Sequence, residues 1–140
     1  MKKLEHLSEI FKEYDSFIID LWGVMHDGFT LNPEALEVVE NLLIHNKRIT
    51  FLSNAPRPNA SVIKFLKKLK MKEEYLQYVL TSGEAAVNSL KEKKFGENFF
   101  HLGPERDKPL FSGLEKNVTT LEKSNFILCT GLFDNKRDDL

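Results

Sequence analysis

The sequence has a single cysteine, and no apolar run approaches the ~20 residues that a membrane-spanning helix needs. One cysteine excludes an internal disulfide framework and favours a reducing compartment. Because Cys129 follows the apolar run Phe126-Ile127-Leu128, we expect its thiol to be buried and inert. The amino-terminal stretch MKKLEHLSEIFKEYD has scattered charges and no apolar segment of signal-peptide length. These features predict a cytoplasmic protein with no membrane partner.

An excess of charge of one sign is also missing. The chain has 20 Lys and Arg against 21 Asp and Glu, a formal net charge of -1. This balance gives no electrostatic reason to expect a nucleic-acid partner. Lysines concentrate between residues 64 and 72, but no arginine lies among them and Phe65 belongs to the apolar positions of the helix, so they indicate a solvated helix face. With 140 residues, 41% of them hydrophobic, the chain can form a hydrophobic core.

Helix-like and strand-like segments alternate along the chain. Helical spacing of apolar residues marks residues 4–14, 33–43, 62–69 and 81–90, and short apolar runs mark strands at residues 17–20, 48–52, 78–80, 99–102 and 126–129. Such alternation predicts an α/β fold with a largely parallel, Rossmann-like sheet.

Two of these helices have recognisable starts. Asn32-Pro33-Glu34 combines a capping side chain, a proline suited to the first turn and an acid near the positive end of the helix dipole. Thr81 and Glu84 have the spacing of a capping box, in which each side chain bonds the other residue's backbone N–H.

Polar residues follow two of the predicted strands. Asp20 ends the run Phe17-Ile18-Ile19, and Ser53-Asn54 follows Thr50-Phe51-Leu52. A right-handed crossover would make these strands neighbours, and ligands of open α/β sheets bind beyond the carboxyl ends of the strands. A carboxylate beside a hydroxyl and free N–H groups suits phosphoryl transfer, with Mg²⁺ offsetting the repulsion between carboxylate and phosphate. From the pattern alone, Asp20 could equally begin a loop and Ser53 could cap the next segment.

The stretch FIIDLWGVMHDG followed by ITFLSNAPRP resembles the first two motifs of the haloacid dehalogenase-like hydrolase superfamily. The His26-Asp27-Gly28 element and the later TSGEAA segment are similar to subfamily IIA, the branch of sugar phosphatases and nitrophenylphosphatases. The resemblance implies a phosphohydrolase that acts on a small phosphate monoester, such as a sugar phosphate, through an aspartyl-phosphate intermediate.

The resemblance also assigns roles to individual residues. Asp20 would be the nucleophile and a Mg²⁺ ligand, and the backbone carbonyl of Trp22 a second ligand. Ser53 and the N–H of Asn54 would bind the transferring phosphoryl group. His26, Asp27 and Arg57 are further candidates for substrate contacts.

The implied domain organisation is the amino-terminal half of the superfamily core at residues 1–77 and the beginning of an α/β cap domain at residues 78–140. The third and fourth motifs of the family would follow the cap, so we expect Asp138-Asp139 to be an exposed tail and not a metal site. The strand at residues 17–20 would then keep an unpaired edge, which invites association. The expected protein partner is a second copy or a separately encoded C-terminal half.

Trp22 departs from the phosphatase pattern, because phosphatases of the superfamily usually have a second aspartate at this position. That aspartate acts as general acid and base, a contribution of roughly 10²–10⁴-fold, and an indole can do neither. The sequence leaves several outcomes open: activity on good leaving groups only, Asp27 acting as a substitute base, attack on carbon as in dehalogenases, or loss of catalysis. The alternative function is a non-catalytic, phosphate-binding or partner-pairing remnant of such an enzyme.

Overall fold

The computed structural model describes residues 4–133. In this range the strands are β1 (Ser16–Asp20), β2 (Arg48–Ser53), β3 (Val79–Thr81), β4 (Phe99–Leu102) and β5 (Phe126–Cys129), and the α-helices are α1 (Pro33–Ile44), α2 (Asn59–Lys68) and α3 (Ser82–Lys91). Short 3₁₀ turns connect them, at Leu7–Glu9, Phe11–Glu13, Glu73–Tyr78, Glu105–Phe111, Glu115–Asn117 and Leu121–Lys123. No helix in the described range is long and apolar enough to cross a bilayer.

The strands form two sheets, one of three strands in the order β1-β2-β3 and one of two strands, β4-β5. β1 and β2 run parallel, with Phe17 opposite Ile49 and Asp20 opposite Leu52. β4 and β5 are also parallel, with Leu102 opposite Cys129. The predicted α/β fold with parallel strands is confirmed.

The contacts within the chain divide it into two compact units. Unit 1 comprises the described residues up to Ser53 together with Phe65–Val79. Unit 2 comprises Asn54–Lys64 together with the described residues from Leu80 onward. Helix α2 therefore begins in unit 2 and ends in unit 1. The assignment of residues 1–77 to a core half and 78–140 to a cap stays a prediction.

The core of unit 1 follows from the alternation of side chains along β2. Ile49 and Phe51 are buried, whereas Leu52 between Phe51 and Ser53 is exposed. Val39 and Leu42 are buried on α1, as the helical spacing predicted. Further buried side chains come from the segment that follows α2, namely Met71, Tyr75 and Leu76. Together these side chains remove one face of the sheet from water, which is the main stabilising contribution to the unit.

The core of unit 2 is built around Phe99. Its ring stacks on Phe126 with centroids 5.8 Å apart and meets Phe111 edge-on at 5.4 Å. Val87 and Leu90 of α3 complete the buried cluster. Offset and edge-to-face arrangements of this kind are favourable for aromatic rings.

Two expectations about local structure are wrong. Cys129 is exposed, because side chains of β5 alternate between half-buried and exposed positions and the cysteine falls on the exposed set with Ile127. The amino-terminal segment forms two 3₁₀ turns instead of one α-helix, and Ile10 between them has non-helical angles (φ -121°, ψ -9°). Of its apolar residues, Leu7 and Phe11 are half-buried, with Phe11 meeting the ring of His45 at 5.1 Å, whereas Leu4 and Tyr14 are exposed.

The start of α1 is confirmed at Asn32. Its side-chain Oδ1 accepts hydrogen bonds from the N–H groups of Glu34 (3.1 Å) and Ala35 (3.4 Å). Its Nδ2 donates to the carbonyl of Val24 (3.2 Å), and its backbone N–H donates to the carbonyl of Met25 (2.9 Å). Asn32 therefore caps the helix and ties it to the loop that follows β1.

We expect Asn32→Ala to lower the free energy of unfolding by about 1 kcal/mol, because the helix loses its cap. Asn32→Asp is the matched control, since it keeps an oxygen for the cap and loses the bond to Val24. Urea unfolding followed by circular dichroism measures both. Equal losses in the two variants would show that the bond to Val24, and not the cap, is the stabilising contact.

Candidate functional site

The parallel pairing of β1 with β2 brings Asp20 and Ser53 to the same edge of the sheet. Asp20 is the last residue of β1 and pairs with Leu52, so Ser53 lies one residue beyond the position opposite Asp20. Asp20 is exposed and Ser53 is buried. Asn54 follows Ser53 directly along the chain and is exposed. A carboxylate and a hydroxyl thus end neighbouring strands, which is the arrangement that the strand pattern predicted.

The backbone after Asp20 turns tightly around one carbonyl group. Oδ1 of Asp20 accepts a hydrogen bond from the N–H of Leu21 at 2.8 Å. The carbonyl oxygen of Leu21 accepts from Val24 (3.4 Å), Met25 (2.9 Å) and His26 (3.1 Å). Leu21 and Met25 are also buried, at 1% and 0% exposure. The loop is therefore anchored by packing and by hydrogen bonds, which restrains the backbone next to Asp20.

His26 is buried in this loop and has a packing role. Its Nδ1 accepts a hydrogen bond from the N–H of Gly28 at 3.1 Å, and its ring meets Phe65 edge-on at 5.3 Å. Burial lowers the pKa of His26, and the negative charges of Asp27 and Asp20 act in the opposite direction. An imidazole with Nδ1 as acceptor is neutral with its proton on Nε2. A contact between His26 and a substrate stays a prediction.

Asp27 closes the turn at the tip of the same loop. Its Oδ1 accepts hydrogen bonds from the N–H groups of Thr30 (2.7 Å) and Phe29 (2.8 Å). These two bonds lower the pKa of the Asp27 carboxyl. Because a carboxylate with a lowered pKa is a weaker proton acceptor, this geometry makes Asp27 a poor substitute for a catalytic base.

Trp22 lies between the nucleophile candidate and this turn. Its side chain is 68% exposed, and its Nε1 lies 3.9 Å from where a Cβ on Gly28 would be. The indole has a donor and no acceptor, so it cannot accept a proton from water. The N–H of Gly23 donates to the carbonyl of His26 at 2.8 Å, and the carbonyl of Trp22 takes no part in the backbone hydrogen bonds within the loop.

The oxygen atoms next to Asp20 suit Mg²⁺ in kind. The Asp20 carboxylate and the Trp22 carbonyl would supply two ligands, and Mg²⁺ commonly binds proteins through one or two carboxylates while keeping water and substrate phosphate oxygens. Among the described residues, no group of three or more His, Cys, Asp and Glu side chains forms a metal site. Asp138 and Asp139 lie outside the described residues. These two oxygen donors would thus supply only part of a Mg²⁺ coordination shell.

Arg57 belongs to unit 2, in the segment between β2 and α2. Its side chain is exposed, while its carbonyl oxygen accepts a hydrogen bond from the hydroxyl of Thr81 at 2.6 Å. Thr81 bonds to this segment, and Asn59 and Glu84 bond to Thr81. None of the three is among the site residues predicted from the sequence. The capping-box spacing of Thr81 and Glu84 was the available signal, but it indicated only a helix start.

The sequence pattern of the haloacid dehalogenase-like hydrolases matches residues 17–115, more than half of the chain. The protein belongs to the haloacid dehalogenase-like hydrolase family. The resemblance to subfamily IIA that the two motifs indicated is confirmed. None of the curated proteins compared matches this sequence.

Solved structures of this family have a similar fold. A haloacid dehalogenase-like hydrolase from Brucella suis is 28% identical, with a TM-score of 0.74 over 96% of this chain and 49% of its own. The 4-nitrophenylphosphatase from Thermotoga maritima is 26% identical, with a TM-score of 0.65 over 86% of this chain and 46% of its own. A glycerol phosphate phosphatase from Mycobacterium tuberculosis, in complex with magnesium, is 20% identical, with a TM-score of 0.61 over 90% of this chain and 38% of its own, and shows the fold alone. The chain spans about half the length of the first two of these structures.

Proposed function

We propose that this family member is a phosphohydrolase that acts on a small phosphorylated metabolite in the cytoplasm, such as a sugar phosphate. The observation that carries the proposal is the parallel pairing that ends β1 at Asp20 and β2 at Ser53 on one edge of the sheet. In the proposed roles, Asp20 is the nucleophile, and Ser53 with the N–H of Asn54 holds the phosphoryl oxygens. The name of the Thermotoga relative, a 4-nitrophenylphosphatase, supports the substrate class of phosphate monoesters.

The proposed reaction has two displacements at phosphorus. A carboxylate oxygen of Asp20 attacks phosphorus, and the P–O bond to the substrate alcohol breaks with its electron pair on the leaving oxygen. Water then attacks the aspartyl phosphate, releases orthophosphate and restores the carboxylate. Bound Mg²⁺, held by Asp20 and the Trp22 carbonyl, would offset the repulsion between carboxylate and phosphate.

The proposed site lacks a suitable group to protonate the leaving oxygen. Trp22 cannot give or take the required proton, and Asp27 has a lowered pKa because two N–H groups bond to it. Buried His26 bonds the N–H of Gly28 through Nδ1. Substrates whose leaving group is stable as an anion should therefore react much faster than alkyl phosphates.

The test of the function is hydrolysis of 4-nitrophenyl phosphate and of a panel of sugar phosphates with Mg²⁺. We expect turnover by the wild-type chain and a loss of at least 10²-fold in Asp20→Asn, which keeps the shape of the side chain and removes the nucleophile. Turnover that survives in Asp20→Asn would contradict the proposed nucleophile.

The second candidate function is phosphate binding without catalysis, and the specific observation in its favour is Trp22. A folded chain that binds orthophosphate but turns over none of these esters would favour this candidate. Binding alone does not separate the two functions, because both keep Ser53 and Asn54. Turnover does.

We expect Trp22→Asp to raise kcat for sugar phosphates by roughly 10²–10⁴-fold, because it supplies the missing proton donor. The gain for 4-nitrophenyl phosphate should be much smaller, since nitrophenolate leaves without protonation. Trp22→Asn is the matched control, as it removes the indole without adding a proton donor. Equal gains in the Asp and Asn variants would show that the indole only obstructs the site.

We further propose that β1 pairs with a second polypeptide, either another copy of this chain or a separately encoded C-terminal half. In the described sheet β1 is an end strand. Its central Ile18 is 72% exposed, and Leu52 of β2, on the same face, is 43% exposed. An apolar end strand with free N–H and C=O groups readily accepts another strand.

We expect the purified chain to associate as its concentration rises, and Ile18→Lys to suppress this, because a charge on an end strand opposes strand pairing. Ile44→Lys on α1 is the matched control, since Ile44 is similarly exposed at 67%. Sedimentation velocity measures the association. A folded wild-type monomer at high concentration would exclude the second copy and leave the separately encoded half to be tested by co-purification.

A further inference from the structure

The segment that follows Ser53 bonds mainly through its carbonyl groups. Residues 54–58 form no helix or strand, and Pro56 and Pro58 have no N–H to donate. The carbonyl groups of Ala55 and Arg57 in this segment accept hydrogen bonds from residues at the start of α3. Ala55 accepts from the N–H of Gly83 (3.1 Å) and from the hydroxyl of Ser82 (3.0 Å).

Thr81 is the centre of a closed set of hydrogen bonds, which we name the Thr81 network and define as Asn59, Thr81 and Glu84. The N–H of Thr81 donates to Oδ1 of Asn59 (2.9 Å), and the N–H of Asn59 donates to Oε2 of Glu84 (2.9 Å). The N–H of Glu84 donates to Oγ1 of Thr81 (3.0 Å), which closes the set. The Thr81 hydroxyl hydrogen goes to the carbonyl of Arg57 at 2.6 Å. Thr81 is fully buried, so these bonds are shielded from water.

This arrangement is an altered capping box. In the usual form the N3 glutamate bonds the backbone N–H of the N-cap residue. Here Asn59, the first residue of α2, takes that N–H, and Glu84 bonds the N–H of Asn59 instead. The starts of α2 and α3 therefore satisfy one another, and neither can shift without breaking the other.

Gly83 allows the backbones to approach closely. A Cβ at Gly83 would overlap the backbone N, C and O atoms of Arg57. Any larger residue would push the segment away from α3. The contact is thus backbone against backbone, and it places the Arg57 carbonyl within reach of Thr81.

We propose that Thr81 is a positioning residue for the phosphate-binding turn, acting through the Thr81 network on the Asn54 N–H. This inference rests on the proposed function of Ser53 and Asn54. Asn54 lies between the end of β2 and Ala55, whose carbonyl is held by α3. The hydrogen bonds to the carbonyls of Ala55 and Arg57 restrain the peptides between Ser53 and Arg57. The Asn54 N–H that meets the phosphate is therefore oriented before the ligand binds. Arg57, whose carbonyl Thr81 holds, is placed in the same way.

The test compares Thr81→Val with Thr81→Ser in the full chain. Valine has nearly the shape of threonine but loses the bonds to Arg57 and Glu84, whereas serine keeps the hydroxyl. We expect Thr81→Val to weaken orthophosphate binding about tenfold or more with Mg²⁺ present, and Thr81→Ser to stay close to wild type. Isothermal titration calorimetry measures the affinity, and the ¹⁵N–¹H shifts of Asn54 and Ala55 report the turn directly.

Two further variants separate positioning from stability. Leu110→Ala destabilises unit 2 through its hydrophobic cluster and makes none of these hydrogen bonds, so it should leave phosphate affinity unchanged. Glu84→Ala removes the bond to Asn59, with Glu84→Gln as its control, and decides the matter if Thr81→Val does not fold. Equal weakening by Leu110→Ala would mean that Thr81 acts only through stability.

The outcomes distinguish this inference from the proposed function. Phosphate binding by wild type that is unchanged in folded Thr81→Val and Glu84→Ala would overturn the inference and leave the proposed function standing. No phosphate binding by wild type would overturn the proposed binding role of Ser53 and Asn54. In that case unchanged Asn54 and Ala55 shifts in Thr81→Val would overturn the positioning role as well.

Discussion

The register between β1 and β2 is the constraint on which the rest of the structure depends. It places Asp20 opposite Leu52, and the side-chain alternation of β2 then buries Ile49 and Phe51. Ser53 belongs to the same alternating set as these two core residues. A slip of one residue would expose Phe51 and move Ser53 to the other face. The hydrogen bonds between β1 and β2 therefore determine both which side chains form the core and where the residues of the candidate site lie.

Much of the fold could be predicted from the sequence, because the decisive signals are local. Apolar runs marked the strands, and Asn32 marked the start of α1, because its side chain accepts from the N–H groups of Glu34 and Ala35 directly after it. The failures share a cause, which is dependence on distant residues. Cys129 was placed inside from its apolar neighbours, but a two-stranded sheet in the described chain covers one face, and the cysteine is on the other. The spacing at residues 4–14 predicted neither the helix type nor the exposure of Leu4 and Tyr14.

The candidate site was predictable as far as the strand ends and no further. The motif residues Asp20 and Ser53 end neighbouring strands, and adjacency follows from the parallel crossover. The roles of His26 and Asp27 could not be foreseen, because their polar atoms are used to build the loop itself. The loop thus uses the side chains nearest to Trp22 for structure. In the proposed phosphohydrolase, Trp22 in place of an acid would therefore slow the reaction, since the neighbouring groups are poorly suited to supply the proton.

The same limit explains why the Thr81 network was missed. A capping box is a rule about four consecutive residues, and by that rule the Glu84 side chain should accept from the N–H of Thr81. In the structure the N–H of Thr81 has a partner, but this partner is Asn59, from a distant part of the chain. Because the two helix starts bond each other, their buried polar atoms have hydrogen-bond partners, as buried polar groups generally do. The start of α3 also bonds the segment after Ser53, through the carbonyls of Ala55 and Arg57. In the proposed function, the same hydrogen bonds would hold the turn where phosphate binds.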